Sequence, residues 1–98
     1  MFQSVAEIRS QAPERALKRL TNHWRHRFEV SAGDDGRTVI DLGDRGIAEF
    51  TINPEGMRAV ATHPQQENLP ALENAIASHL QRFAKDETLT FDWQPLSG

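Results

Sequence analysis

Cysteine is absent from this chain of 98 residues. Its absence excludes disulfide staples, thiolate metal ligands and a cysteine nucleophile, and it suits a reducing compartment. Long apolar runs are missing too: nowhere do about eighteen apolar residues follow one another, so no transmembrane helix is expected. The stretch from Met1 to Arg9 has neither the basic start nor the apolar middle of a secretory signal, and a cytoplasmic protein is the expectation. Ser4, Ser10, Ser31, Ser78 and Ser97 lie outside any Gly-x-Ser-x-Gly nucleophile elbow. The glycines fall in turns, not in a phosphate-cradling loop between strand and helix. Asp34, Asp35, Asp41 and Asp44 lack the glycine and closing glutamate of a calcium loop. There is no repeat, no low-complexity segment and no flavin or nicotinamide fingerprint. No cofactor is expected, and no catalytic signature is left.

What is present is one domain, spanning residues 1–98. A chain this long buries roughly two-thirds of its unfolded surface and folds without staples. Its charge is lopsided. Between Arg9 and Arg27 six basic side chains (Arg9, Arg15, Lys18, Arg19, Arg25, Arg27) face one acid, Glu14. From Phe28 onward twelve acids face five bases, and the whole chain carries a formal charge of -3. Such asymmetry speaks to association with an anionic partner and not to fold.

The apolar spacing supplies the fold. Phe2–Ile8 reads as a short strand. Pro13 marks a helix start, and Glu14 suits the positive helix end. Leu17, Leu20, Thr21 and Trp24 make one stripe of that helix, with Arg15, Lys18, Arg19, Asn22, Arg25 and His26 opposite. The period then falls to two. Phe28 and Val30, then Thr38 to Leu42, then Ala48 to Ile52, then Met57 to Thr62 form four strands. Turns at Gly33-Asp34-Asp35-Gly36, Gly43-Asp44-Arg45-Gly46 and Asn53-Pro54-Glu55-Gly56 separate them as an antiparallel meander. Asn68 is placed to cap a second helix, striped by Leu69, Leu72, Ile76, Leu80 and Phe83. Leu89, Phe91 and Trp93 alternate as a closing strand. The order β-α-β-β-β-β-α-β predicts an α+β two-layer sandwich, two helices on one face of a mainly antiparallel sheet.

Histidine is the most versatile group left without cysteine. His23 and His26 are neighbours on helix one, His79 borders the stripe of helix two one turn before Arg82, and His63 ends the fourth strand. A zinc site needs three or four converging ligands, and Arg25 and Arg27 repel a cation here, so no metal is expected. The plain reading makes His23 and His79 half-buried, each hydrogen-bonded across the helix seam. The alternative gives them a proton-transfer or ligand-orienting role. The basic helix face is a solvated surface or a site for an anionic partner. Nucleic acid is disfavoured, because the chain is acidic overall and no aromatic residues interleave with the arginines.

The run from Leu17 to Arg27, Asp41-Leu42-Gly43, and His79-Leu80-Gln81-Arg82-Phe83-Ala84 resemble segments of a family of small bacterial domains of unknown function. The resemblance spans nearly the whole chain. It implies occurrence alone or fused to siderophore-interacting flavoprotein reductases, and hence an accessory role in bacterial iron acquisition. It carries no catalytic assignment. Lys18, His23, His79 and Arg82, polar members of these segments at helix–core borders, are the positions chosen for a family site.

Three functions compete. A binding module takes an anionic small molecule, such as a siderophore carboxylate or catecholate, on Lys18, His23, His79 and Arg82. A docking domain meets an acidic protein surface, such as that of a reductase, through Arg15, Arg19 and Arg25. A small enzyme using His23 or His79 ranks last, for want of a nucleophile, metal or cofactor. A monomer and a homodimer joined through an edge strand are both open.

Overall fold

Alternation along the strands decides which side of the sheet is covered. In the first strand, β1 (Phe2–Arg9), Ser4, Ala6 and Ile8 are buried while Glu7 is exposed. The computed structural model describes residues 1–33 and 36–96. The remaining elements are α1 (Pro13–Trp24), β2 (Glu29–Ala32), β3 (Thr38–Asp41), β4 (Ile47–Asn53), β5 (Gly56–His63), α2 (Leu69–Phe83) and β6 (Gln94–Pro95). Every neighbouring pair in the sheet is antiparallel, in the order β2-β3-β4-β5-β1-β6. This is the two-layer α+β fold expected from the sequence. Asp34, Asp35 and Ser97 lie outside the described residues, so the first turn and part of the rejected calcium motif are not described.

The helices cover one face of the sheet. Pro13, Ala16, Leu17, Leu20, Thr21 and Trp24 are the buried stripe of α1, and Leu69, Leu72, Ile76 and Leu80 that of α2. They close over Ile40, Phe50 and Met57 from the sheet. Burial of a side chain of this size is worth about 1.5–3 kcal/mol relative to leaving it exposed. The other sheet face is wet, with ion pairs between Arg58 and Glu7 at 3.2 Å and Arg37 and Glu49 at 3.5 Å.

Two details differ from the sequence expectation. Asn68 does not cap α2. A 3-10 turn, Gln66–Asn68, runs straight into the helix, so Asn68 is already helical and its amide donates instead to Gln65 Oε1 at 2.7 Å. An N-cap needs extended backbone to turn its side chain toward the first free amides. The closing strand is also shorter. Leu89 is buried and Phe91 and Trp93 half-buried as their alternation requires, yet ladder pairing is confined to Gln94–Pro95. Gln81 takes the hydrogen bonds upstream: its Oε1 accepts from the Leu89 amide at 2.7 Å, and its Nε2 donates to the Glu87 carbonyl at 2.9 Å.

Glu87 ties this segment to the start of α1. Its carboxylate accepts from the Ser10 hydroxyl at 2.6 Å and the Gln11 amide at 3.1 Å. These bonds, the serine's first, hold the Glu87 carboxyl below its ordinary value of 4.5.

Candidate functional site

The two helices run antiparallel, and their seam is where the chain's bases gather. Arg19 of α1 reaches the last residue of α2, its Nη1 donating to the Phe83 carbonyl at 3.3 Å. That bond satisfies a carbonyl left free at the helix end. One turn on, a line of rings crosses the seam. Trp24 and His79 have centroids 4.9 Å apart, His79 and His23 5.5 Å, and His23 and Phe83 5.6 Å.

Above this line opens a groove of about 690 Å³. Arg19, Asn22, His23 and His26 line it from the side of α1, and Arg82, Phe83 and Lys85 from the end of α2. Five of the seven are basic and none is acidic. Among the described residues none of the five is ion-paired with a carboxylate. The Arg82 guanidinium carbon lies 5.9 Å from the Phe83 ring centroid, which steadies the guanidinium and leaves its donors for a ligand. The site can therefore do one thing well: present cationic donors, beside one aromatic face, to an anion.

The sequence-chosen residues divide. Arg19, His23 and Arg82 meet in the groove, and His79 lies beneath it against His23. Lys18 is exposed on α1 outside the groove lining. Arg15 lines a small neighbouring cleft shared with Asp86 and Glu87, where charges are mixed. Arg25 turns toward β2 and β3, beside Val30 and Thr38.

Among the described residues neither His23 nor His79 makes the hydrogen bond across the helix seam that the sequence led us to expect. His79 is half-buried, but its Nδ1 bonds along its own helix to the Ala75 carbonyl at 2.7 Å, and His23 is exposed. A carbonyl only accepts, so Nδ1 of His79 carries the proton and Nε2 of the neutral ring is left as the acceptor. His63 is fixed in the opposite tautomer. Its Nδ1 accepts from the Gln65 amide at 2.9 Å, and its Nε2 donates to the Asp44 carbonyl at 3.0 Å. Buried and doubly bonded, it is structural. Among the described residues no group of three or more His, Asp or Glu is placed to hold a metal ion.

Four lining residues lie outside the sequence choice: Asn22, His26, Phe83 and Lys85. His26 had been placed on the basic helix face, but nothing in the sequence distinguishes it from Arg25. Lys85 follows the stripe of α2 and reads only as a helix end. Its one available signal is the basic cluster Arg82–Lys85 itself, meaningful once the helices are known to pack antiparallel.

The comparisons with known proteins agree on family and fold. Residues 5–94 match a family described as uncharacterised proteins conserved in bacteria, DUF2218. A search of curated proteins finds no match. Among solved structures, the chain is similar to the NMR structure of PA4090 from Pseudomonas aeruginosa. The two share 35% identity and a TM-score of 0.76, over 96% of each chain. With nine-tenths of its length inside the family match, and the same fold in a solved relative, this chain belongs to DUF2218.

Proposed function

We propose that the domain is a non-enzymatic binding module acting in the cytoplasm, and that it takes an anionic small molecule in the α1–α2 groove. One observation carries the reading. Five bases, three on the two helices and two just past their ends, converge on one concavity free of acids in a chain whose net charge is -3. The Phe83 face favours an anion with a flat apolar part, such as an aromatic carboxylate or a catecholate. A siderophore offers both groups, and the resemblance to domains fused to siderophore-interacting reductases supports a link to iron acquisition.

Calorimetric titration and thermal shift with 2,3-dihydroxybenzoate, citrate and a ferric catecholate siderophore test this. A ligand at a hundred times its dissociation constant stabilises the fold by about 2.7 kcal/mol, a shift of many degrees in a domain this small. The double variant Arg19→Ala/Arg82→Ala should lose that shift while its own melting temperature stays within a few degrees of the parent. A flat response to every anion contradicts the reading.

The exposure of Arg15, Lys18 and Arg25 along α1 favours a second reading, docking on an acidic protein surface such as that of a reductase. Association of that kind weakens with salt, because exposed charges are screened within about 10 Å at 0.1 M. Reversal of Arg15, Arg19 and Arg25 to glutamate should abolish it. Association that survives the reversals excludes this surface.

A further inference from the structure

At the other end of α2 lies a second concavity, which the anion reading leaves unused. It is a recess of about 460 Å³ between β1, the first turns of α2 and the C-terminal segment. Phe2, Leu69, Trp93 and Leu96 give it apolar walls. Trp93 is steadied by stacking on Phe91, with ring planes 11° from parallel. Among the described residues, the large apolar side chains left exposed are Met1 and Phe2, and both border this recess. Met1 and Phe2 are consecutive in sequence, and together they concentrate exposed apolar surface at the rim of this recess.

A second observation is independent of the first. Ser4 also lines the recess, on the helix-facing side of β1, and it is 3% exposed. Its hydroxyl has no hydrogen-bond partner, the one buried side-chain polar atom so placed among the described residues. Its neighbours in the same cross-strand row are Ala61 and Ala48, so alanine fits this row and the hydroxyl is not needed for packing. An unmatched buried hydroxyl weakens a fold.

The charge differs from that of the groove. Glu73 is the charged side chain on the lining, and the basic group among the lining residues is the amino group of Met1 at the exposed rim. We infer that this recess binds a flat aromatic small molecule, neutral or cationic, whose polar edge hydrogen-bonds to Ser4. The rings of Phe2 and Trp93 enclose the aromatic body, and the Glu73 carboxylate attracts a cation and repels an anion. The hydroxyl is covered in the unliganded fold, so entry requires a rim side chain to turn aside, and Met1 and Phe2 are the large apolar side chains exposed there.

Three probes sharing one ring system separate the contributions: indole, tryptamine and indole-3-acetate, followed by amide chemical shifts of the whole chain. Indole and tryptamine should perturb Ser4, Leu69, Glu73 and the Trp93 side chain, with indole-3-acetate binding about tenfold more weakly. Ser4→Ala should weaken indole binding about three- to tenfold and leave the melting temperature equal or higher. Glu73→Gln should narrow the gap between tryptamine and indole-3-acetate. Silence with all three probes overturns the inference, as does unchanged affinity in Ser4→Ala or a response confined to His23 and Phe83. Loss of binding at the recess leaves the groove reading standing, because indole-3-acetate, itself an aromatic carboxylate, reports on the groove through His23 and Phe83 and on the recess through Ser4 and Glu73.

Discussion

The two ends of α2 are built from different materials. At its C-terminal end, Arg82 and Lys85 face Arg19, His23 and His26 across an open basic groove. At its N-terminal end, Phe2, Leu69 and Trp93 line a recess with Ser4 and Glu73, and no basic side chain takes part. Part of this polarity follows from the helix itself, since cations suit its carbonyl end, whereas Glu73 lies beyond the first turn at the amide end. A dipole is satisfied by one or two charges in the last turn, however. The three bases that α1 and its end bring to the same cavity are surplus to that need. A hydroxyl buried without a partner at the far end answers no dipole at all. What the two ends share is the core beneath α2, so one scaffold underlies both proposed sites.

Damage to that shared core should have the largest effect. Leu80 and Ile76 are fully buried, and either one changed to alanine should cost about 2–5 kcal/mol, read by chemical denaturation. Both sites should fade together as a domain whose whole stability is only about 5–15 kcal/mol approaches unfolding.

Charge reversal sharpens the contrast. Arg19→Glu/Arg82→Glu should reduce affinity for 2,3-dihydroxybenzoate by more than about tenfold in calorimetry, the loss of roughly one charge-assisted bond or more. Indole binding at the other end should not change. Raising salt should weaken the first interaction and spare the second.

Acid acts on a third place, the join between α1 and the segment after α2. Glu87 titrates below its ordinary 4.5 in the folded chain, so its contribution is complete above that value and is lost as pH falls through the lowered one. Glu87→Gln should cost about 1 kcal/mol at neutral pH, as for loss of a capping interaction. The gap between parent and variant melting temperatures should close below pH 4.5. The smallest effect belongs to the exposed pair Arg58–Glu7. Its removal should change stability by less than about 1 kcal/mol in the same assay and leave both sites unaltered.

The fold was legible because each element carries its own period. Leu17, Leu20 and Trp24 announce α1, and Ala48, Phe50 and Ile52 announce β4, without reference to anything distant. The short closing strand was not legible, because Gln81 captures its backbone from another element. The Asn68 cap was misread for a related reason: a 3-10 turn upstream had already set its backbone. The groove was half legible. Arg19, His23 and Arg82 stood out by type and helix face, but the antiparallel packing that brings Lys85 and Phe83 to them is a tertiary fact. The recess at Ser4 was invisible, since an unremarkable serine gains meaning only when its partners can be counted.

The most direct test of the anion-binding reading is a chemical-shift titration of the intact chain with 2,3-dihydroxybenzoate. Perturbations gathered on Arg19, His23, His26, Arg82, Phe83 and Lys85, saturating with one site, are the predicted result. Perturbations spread evenly over Lys18, Arg25 and Arg58 as well, without saturation, would contradict it and reduce the groove to a solvated basic surface.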